Sequence, residues 1–492
     1  MERLYKMLEA YAQSDYYPFH MPGHKRSSLL TGAALPYSLD ITEIDGFDDL
    51  HHAEGVLMEA EERAAELYRA EETHYLINGS TAGILSAVLG CTERGGKILM
   101  ARNCHKSVYN AVFMNELHPV YVYPEYFSKT ELCGEIRVSD VERILASDSE
   151  IKAVVITSPT YDGVVSDVRG IAGAAHRKGI PLIVDEAHGA HFGFHPYFPE
   201  NSNTKDADVV IHSLHKTLPS LTQTALIHIN GNLVDRGKIR RYLHILQSSS
   251  PSYVLMAGMD ECIRMLSERG REIFESYAGL LEKTRVELQN LRNIELLSTE
   301  NYDRSKMVIS VKNASSAESG MTMGNRECGN RKPFTGRMLY QILLGTYHLQ
   351  MEMAAGSYVL AMTSPADTES GMARLVTALR EIDARLEKDP EKDSAGEKEK
   401  PQGERQRFPG QEIIFIPSEV ERQGESIAVS WEQAQGRVAV EYAYLYPPGI
   451  PLVVPGERIG RLTSEKVREY IRMGFTIEGT EMKGKIRVLA DG

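Results

Sequence analysis

The sequence is poor in cysteine, in tryptophan and in long apolar runs. Five of its 492 residues are cysteine and one is tryptophan. The cysteines are odd in number and none forms a Cys-x-x-Cys pair, which argues against a disulfide framework and a zinc site; they are Cys91, Cys104, Cys133, Cys262 and Cys328. No run approaches the roughly 20 apolar residues of a membrane span, and the N-terminus lacks a signal-peptide core. We therefore expect a cytoplasmic protein.

Lysine and arginine, 55 together, are also outnumbered by the 68 aspartate and glutamate residues. The formal net charge is -13, whereas a nucleic-acid surface needs lysine and arginine clustered on one face. The acidic balance suits a cationic substrate only weakly, because it is common among ordinary enzymes. We expect neither nucleic acid nor a membrane as a partner.

Helical and strand patterns alternate between about residues 54 and 245. Strands that alternate with helices of this length predict an α/β fold with a doubly wound, mostly parallel sheet. Such sheets bind ligands at the carboxyl ends of their strands. The same region is preceded by an amphipathic N-terminal helix and followed by long charged helices between about 258 and 292.

The rest of the chain predicts further domains. A strand and an apolar helix face after residue 296 indicate a smaller α/β unit, with a polar, glycine-rich loop at 313–333. Residues 388–407 contain almost no apolar side chain, which predicts a linker or a disordered insert. The predicted organisation is an N-terminal arm (1–50), a large domain (51–295), a small α/β domain (296–387), the charged linker (388–407) and a C-terminal domain (408–492).

The stretch NGSTAG lies between a strand and an apolar helix. Gly79 allows close approach of the backbone, and Ser80 and Thr81 place hydroxyl groups and amides at a helix N-terminus, where the dipole favours an anion. A phosphate would fit there. An ordinary serine or threonine helix cap is the alternative, and caps are commoner than anion sites.

Two further strand ends carry ionisable groups. Asp185 ends the apolar strand of IVDEAHGAH, and a carboxylate there is costly unless it is paired. It would form a structural salt bridge or a helix cap, or it would pair with the protonated ring nitrogen of a cofactor. His188 and His191 follow, but no third ligand at useful spacing supports a metal, and we predict none. His105, which opens a helix after the strand KILMA, is by itself an ordinary polar residue.

Lys216 follows the strand DVVIH within the cluster HSLHK. Lysine is usually exposed, so its place beside Ser213 and His215 at a strand end suggests an amine positioned for chemistry. Desolvation would favour its neutral, nucleophilic form, and a surface loop lysine is the alternative. A phosphate cradle, a histidine, an aspartate and a lysine in this order predict a pyridoxal-phosphate site of the aspartate-aminotransferase type, with Lys216 as the Schiff-base lysine.

The chain closely resembles the bacterial ornithine/lysine/arginine decarboxylase family of fold type I pyridoxal-phosphate enzymes. The resemblance runs over nearly the whole chain, through the motifs FHMPGHK, DGFDDLHHAEG, NGSTAG, RNCHKSV, SPTYDG, VDEAHGAH, HSLHKTLPSLTQ, SSSPSYVLMA and YPPGIPLVVPGE. Because FHMPGHK begins at residue 19, the chain resembles the short biosynthetic form. The N-terminal wing domain and the decamer of the large acid-inducible enzymes are not expected.

The resemblance implies a role for each residue of these motifs. It assigns Lys216, Asp185, His105 and His215 to catalysis, with His105 stacked on the pyridine ring and Asp185 at the ring nitrogen. It also implies a homodimer with shared active sites, in which Ser249 and Ser250 reach the partner's phosphate. The implied cofactor-binding residues are Gly79, Ser80, Thr81, His105, Asp185, Ala187, His188, Ser213, His215 and Lys216.

The resemblance implies decarboxylation of a basic amino acid. Arginine, which would give agmatine for polyamine biosynthesis, is the favoured substrate, and lysine or ornithine, giving cadaverine or putrescine, are the alternatives. Rival hypotheses are an aminotransferase or a lyase on the same fold, a non-catalytic cofactor-binding regulator and an interaction protein. Four carboxylates are candidates for reading the distal cation of the substrate: Asp45, Asp162, Glu441 and Glu457.

Overall fold

The computed structural model describes residues 3–18, 20–127, 132–312, 334–386, 405–407, 412–445 and 449–490. The predicted loop at 313–333, with Cys328, lies outside the described residues. So does the predicted charged linker, except for residues 405–407.

The described part of the chain contains helices spread along its whole length. They are α1 (Leu4–Gln13), α2 (Val56–Tyr68), α3 (Gly79–Cys91), α4 (Lys106–Met114), α5 (Val138–Ser147), α6 (Val168–His176), α7 (Leu214–Thr217), α8 (Arg236–Leu246), α9 (Tyr253–Leu288), α10 (Gly336–Tyr347), α11 (Glu369–Arg385), α12 (Pro417–Val420) and α13 (Arg461–Arg472).

The strands are short, as is usual for sheets of this kind. They are β1 (Glu72–Leu76), β2 (Lys97–Ala101), β3 (His118–Val122), β4 (Glu125–Phe127), β5 (Leu132–Cys133), β6 (Ile151–Thr157), β7 (Leu182–Asp185), β8 (Val209–His212), β9 (Ala225–Ile229), β10 (Ile294–Leu297), β11 (Lys306–Val311), β12 (Met353–Ala354), β13 (Tyr358–Met362), β14 (Arg405–Arg407), β15 (Glu412–Ile413), β16 (Ser426–Ser430), β17 (Ala443–Leu445), β18 (Ile450–Val453), β19 (Glu457–Arg458) and β20 (Lys485–Leu489).

The chain divides into two compact units. The first comprises Met1–Leu99, Val141–Ser158 and Val168–Glu275, and the second comprises Met100–Asp140, Pro159–Asp167 and Ser276–Gly492.

The first unit contains the strands β1, β9, β8, β7 and β6, which are neighbours in one sheet in that order. β6, β7 and β8 run parallel, and every residue of β7 and β8 is buried. Buried parallel strands read as continuous apolar runs, which is why the sequence predicted them. The antiparallel strand β9, which pairs with both β8 and β1, was not predicted.

The N-terminal helix and the long charged helices match their predicted places. Leu4 and Leu8 of α1 are fully buried, and the Arg3 and Arg63 guanidinium groups both contact the buried carboxylate of Asp260. The helices predicted between 258 and 292 form a single helix, α9. No helix of the described residues is long and apolar enough to cross a membrane.

The second unit contains the antiparallel sheet β10-β11-β13-β12, whose core includes the apolar faces of α10 and α11. The C-terminal residues have a core of their own around Trp431 and Ile486. Arg405–Arg407, the last three residues of the predicted linker, form β14 and pair with β4. The last residues of the predicted insert therefore belong to a strand.

Candidate active site

Lys216 lies in α7, directly after the carboxyl end of β8. Its Nζ is 3.0 Å from Nε2 of His188, which follows β7, the neighbouring strand. A protonated amine only donates, so His188 Nε2 accepts when Lys216 is charged. Two motifs that are 28 residues apart therefore meet at adjacent strand ends, as expected for ligand sites of parallel sheets.

Asp185 is the last residue of β7 and is 4% exposed. Its Oδ1 accepts a hydrogen bond of 3.2 Å from the Ala187 amide. Burial raises the pKa of Asp185, whereas the positive charge of Lys216 and the Ala187 amide both oppose that rise. A further cation beside the carboxylate would stabilise its ionised form, and a protonated pyridine nitrogen is such a cation.

The segment from Gly79 to Thr81 forms the first turn of α3. Gly79 has a positive φ of 73°, a conformation that favours glycine. The N-cap is Asn78, whose side chain makes no capping bond to α3. Ser80 and Thr81 thus lie within the helix, contrary to the helix-cap alternative, and the first-turn amides are suited to an anion.

Two buried hydroxyl groups flank Lys216. Ser213 Oγ and Thr217 Oγ1 belong to residues that are 0% and 1% exposed, and neither has a hydrogen-bond partner among the described residues. A buried polar atom without a partner is costly, and the oxygens of a phosphate would satisfy both. The site therefore fits a phosphorylated cofactor. Sequence reasoning missed Thr217, although it directly follows Lys216.

His215 has a defined protonation state. Its Nδ1 lies 2.8 Å from the Thr224 carbonyl oxygen, and a carbonyl only accepts, so Nδ1 carries the proton. Burial lowers the pKa of His215, and Lys216 lowers it further, against the opposing effect of the Thr224 carbonyl. The neutral ring thus presents a lone pair at Nε2. This favours a role in proton transfer over contact with a phosphate anion.

His105 belongs to the second unit, whereas the predicted serine segment, Ser249 and Ser250, belongs to the first. His105 lies in the second unit, where it is the N-cap of α4, and its Nδ1 accepts the Ser107 amide at 3.3 Å. In the first unit, Ser249 and Ser250 are exposed.

The four candidate carboxylates for substrate recognition differ sharply. Asp45 is exposed on a turn. Glu441 accepts the backbone amides of Glu481 and Arg487, at 2.9 and 2.7 Å. Such contacts are structural.

Glu457 is likewise engaged within the protein. It is 1% exposed and bonds the buried Arg102 guanidinium at 3.0 Å, and burial raises its pKa.

Asp162 is the remaining candidate, and it lines a cavity of about 610 Å³ within the second unit. The Tyr358 hydroxyl donates to its Oδ1 at 2.6 Å. Burial raises the pKa of Asp162 to about 6, against the effect of this hydrogen bond. Glu352 lines the same cavity and accepts from the Tyr161 hydroxyl. No motif in the sequence pointed to Glu352 or Tyr358.

Solved structures share this fold over nearly the whole chain. A lysine decarboxylase of Francisella novicida superposes with a TM-score of 0.80 at 18% identity, and the constitutive lysine decarboxylase of Escherichia coli with 0.77 at 21%. Both superpositions cover 99% of this chain and 81% of the other. The fold is that of the fold type I pyridoxal-phosphate enzymes, which confirms the predicted α/β architecture.

Sequence comparison identifies the family within this class. A family model described as the major domain of Orn/Lys/Arg decarboxylases matches residues 2–316, and one described as their C-terminal domain matches residues 417–480. The chain is 32% identical to the protein YaaO of Bacillus subtilis over 97% of this chain and 95% of YaaO. It is 28% identical to an arginine decarboxylase of Bacillus anthracis, over 97% and 94%.

This chain belongs to the Orn/Lys/Arg decarboxylase family. It is a pyridoxal-phosphate-dependent decarboxylase of basic amino acids, and pyridoxal 5'-phosphate is its cofactor, as the resemblance predicted.

Proposed function

We propose that this protein converts arginine into agmatine and CO2, a step of polyamine biosynthesis. The observation that carries the proposal is its similarity, over 95 to 97% of this chain, to arginine decarboxylases of Bacillus anthracis, Bacillus subtilis and Bacillus cereus. Against a lysine decarboxylase of Pseudomonas aeruginosa the identity is 24%, over 75% of that protein. Lysine and ornithine are the alternative substrates.

The strand ends of the first unit would hold the cofactor. Lys216 would bind it covalently, and Gly79, Ser80, Thr81 and Ser213 would bind its phosphate through first-turn amides and hydroxyl groups. Asp185, Ala187 and His188 would lie along the ring, and His105 would stack on it. The buried hydroxyl of Ser213, which lacks a partner among the described residues, supports the phosphate assignment.

Three side chains would hold or transfer protons in this reaction. Pyridoxal phosphate, when bound, supplies an electron sink for the bond that breaks between the α-carbon and the carboxyl group. The Asp185 carboxylate would hold a proton at the ring nitrogen. Lys216 or His215 would deliver the proton that replaces CO2 at the α-carbon. The lone pair at His215 Nε2 gives that residue a place to carry this proton.

Asp162 and Glu352 would read the distal cation of the substrate. Both carboxylates line the same cavity of the second unit, together with Glu478 and Arg337. A guanidinium group presents paired N–H donors, which suit two carboxylates better than the compact ammonium of lysine does. Of the four sequence candidates, Asp162 is the one that lines this cavity of the described residues.

The protein would act as a homodimer. Tyr16, Leu29 and Leu30 are exposed, Leu29 at 92% and Leu30 at 102%. Large exposed apolar side chains can mark interaction sites, and a second copy would cover these. The exposed Ser249 and Ser250 would then be available to the partner's phosphate site. We place the enzyme in the cytoplasm, and the domain division given above remains a prediction.

Product analysis tests the proposed reaction. Purified protein with pyridoxal phosphate receives arginine, lysine or ornithine in separate reactions, and Lys216→Ala serves as the control. We expect agmatine and CO2 from arginine, with no product in the control. Cadaverine or putrescine as the main product would reassign the substrate. A wild type that takes up the cofactor but forms no amine would overturn the proposed substrates.

A further inference from the structure

Two buried ionisable residues adjoin the cofactor residues in sequence. Glu186 follows Asp185, and His212 precedes Ser213; they are 1% and 0% exposed. His212 Nε2 lies 2.8 Å from Glu186 Oε1, so the bond joins the carboxyl ends of β7 and β8. These two strands deliver Asp185 and, through α7, Lys216.

The bond lies on the side of the sheet opposite to Asp185. Asp185 is in register with Ile211, so the two side chains share a face, and Ile211 contacts α3 at Gly83. Successive side chains of a strand alternate between faces. His212 therefore points away from α3, where its ring packs 4.8 Å from that of Tyr68 in α2.

A chain of hydrogen bonds extends from this pair across the sheet. His212 Nδ1 is 2.9 Å from His228 Nε2, and His228 Nδ1 is 2.7 Å from Thr73 Oγ1. Thr73 and His228 are directly opposed in β1 and β9. The chain thus spans the four strands β1, β9, β8 and β7.

Both carboxyl oxygens of Glu186 also accept hydrogen bonds from Ser202. The Ser202 amide donates to Oε1 at 3.1 Å, and the Ser202 hydroxyl donates to Oε2. A buried carboxylate with this many donors is held firmly in one position.

The titratable groups packed against His212 are Glu186, His228 and Tyr68. Burial lowers the pKa of His228 well below its usual value and raises that of Tyr68. Both side chains are therefore neutral at pH 7. Glu186 is the neighbour that bonds His212 from the end of the adjacent parallel strand.

We propose that Glu186 and His212 are positioning residues of the active site. Their hydrogen bond, on the face of the sheet opposite to the cofactor residues, holds the ends of β7 and β8 so that Asp185 and Ser213 meet the ring nitrogen and the phosphate. The inference rests on the proposed roles of Asp185 and Ser213. It does not depend on which amino acid is the substrate, because its test measures cofactor binding without substrate.

The chain offers a matched control in His74 and Glu61. Glu61 also accepts a backbone amide, that of Tyr75 at 2.8 Å, and its Oε2 lies 3.1 Å from His74 Nδ1. Burial would lower the pKa of His74, but Glu61 and Glu72 raise it to about 9. This pair has the same chemistry and adjoins no cofactor residue, although its side chains are 20% and 10% exposed against 0% and 2% for His212 and Glu186.

The test compares Glu186→Gln and His212→Phe with Glu61→Gln. For each variant, the dissociation constant of pyridoxal phosphate and the pH at which the bound-cofactor absorbance changes are measured, together with the thermal midpoint. We expect the two positioning variants to raise the dissociation constant about tenfold, a size typical of lost supporting contacts, and to shift the pH of the spectral change. Glu61→Gln should lower the thermal midpoint while leaving both cofactor readouts unchanged.

A milder variant covers the case in which these proteins fail to fold. Ser202→Ala removes one donor to Glu186 Oε2 and should raise the dissociation constant by a factor of about three to five, as the loss of about 1 kcal/mol predicts. If the variants at Glu186, His212 and Ser202 that fold lose only thermal stability, with wild-type cofactor binding and an unmoved spectral pH, the proposal is wrong.

Discussion

Asp185 and Asp162 are both buried aspartates whose pKa is raised by burial, but their neighbours differ. Asp185 has the positive charge of Lys216 and the Ala187 amide to oppose the rise, whereas Asp162 has one neutral donor, the Tyr358 hydroxyl. Asp185 is therefore suited to a permanently bound cation, such as that of a cofactor. Asp162 is suited to a cation that binds and dissociates, such as that of a substrate. Burial alone therefore does not define the role of a carboxylate; its partners do.

The largest effect expected on the cofactor side of this comparison is that of Lys216→Ala. Removal of the amine that would bind the cofactor should lower kcat by at least about a thousandfold, as for other groups that act directly in the chemistry. Cofactor absorbance and kcat report the result. Lys152→Ala, at an exposed lysine of β6, is the control. A Lys216→Ala enzyme with near wild-type kcat would remove Lys216 from catalysis.

Neutralising each aspartate separates the two roles. Asp185→Asn should lower kcat by about a hundredfold or more, because loss of one charge aimed at the transition state has effects of that order. Asp162→Asn should instead raise the KM for arginine by about ten- to a hundredfold, with cofactor binding unchanged, since one contact to a charged group contributes about 1.5 to 3 kcal/mol. Steady-state kinetics with parallel cofactor titration distinguish them. The reverse pattern would exchange the assignments.

The raised pKa of Asp162 predicts a pH dependence of substrate binding. Below about pH 6 the Asp162 carboxyl takes up a proton and loses its attraction for a guanidinium group. We therefore expect the KM for arginine to rise as the pH falls through 6 and to be low above it. KM against pH for the wild type and Asp162→Asn is the measurement. A break that persists in Asp162→Asn would belong to another group.

Tyr358→Phe should have the smallest effect. It removes the hydroxyl that lowers the pKa of Asp162, so the break in KM should move to higher pH. One neutral hydrogen bond contributes about 1 kcal/mol, which corresponds to a change of about fivefold in KM near pH 6. Tyr347→Phe, at a partly buried tyrosine whose hydroxyl bonds Glu381, is the matched control. An unmoved break would show that the hydroxyl does not tune Asp162.

Sequence reasoning succeeded where the signal is local. β7 and β8 are apolar runs followed at once by polar residues, so their ends could be located without coordinates. β9 was missed because only the 4-residue helix α7 lies between β8 and ALIHI, so this strand departs from the alternation of strands with longer helices. The helix-cap alternative for Ser80 and Thr81 could not be decided, because the choice depends on the exact residue at which α3 begins.

The amino-acid sequence by itself determined the class of fold, and it predicted a set of residues for the cofactor site. Each of these residues lies within a few positions of a strand end, and a parallel sheet gathers its strand ends at one edge. Only the tertiary structure decided which carboxylate faces a cavity. It also decided which residues bond to one another on the face of the sheet opposite to the cofactor residues. Asp162 and Tyr358 are 196 positions apart, and Thr73 and His228 are 155 apart. Contacts over such distances follow from chain packing, and no local pattern encodes them.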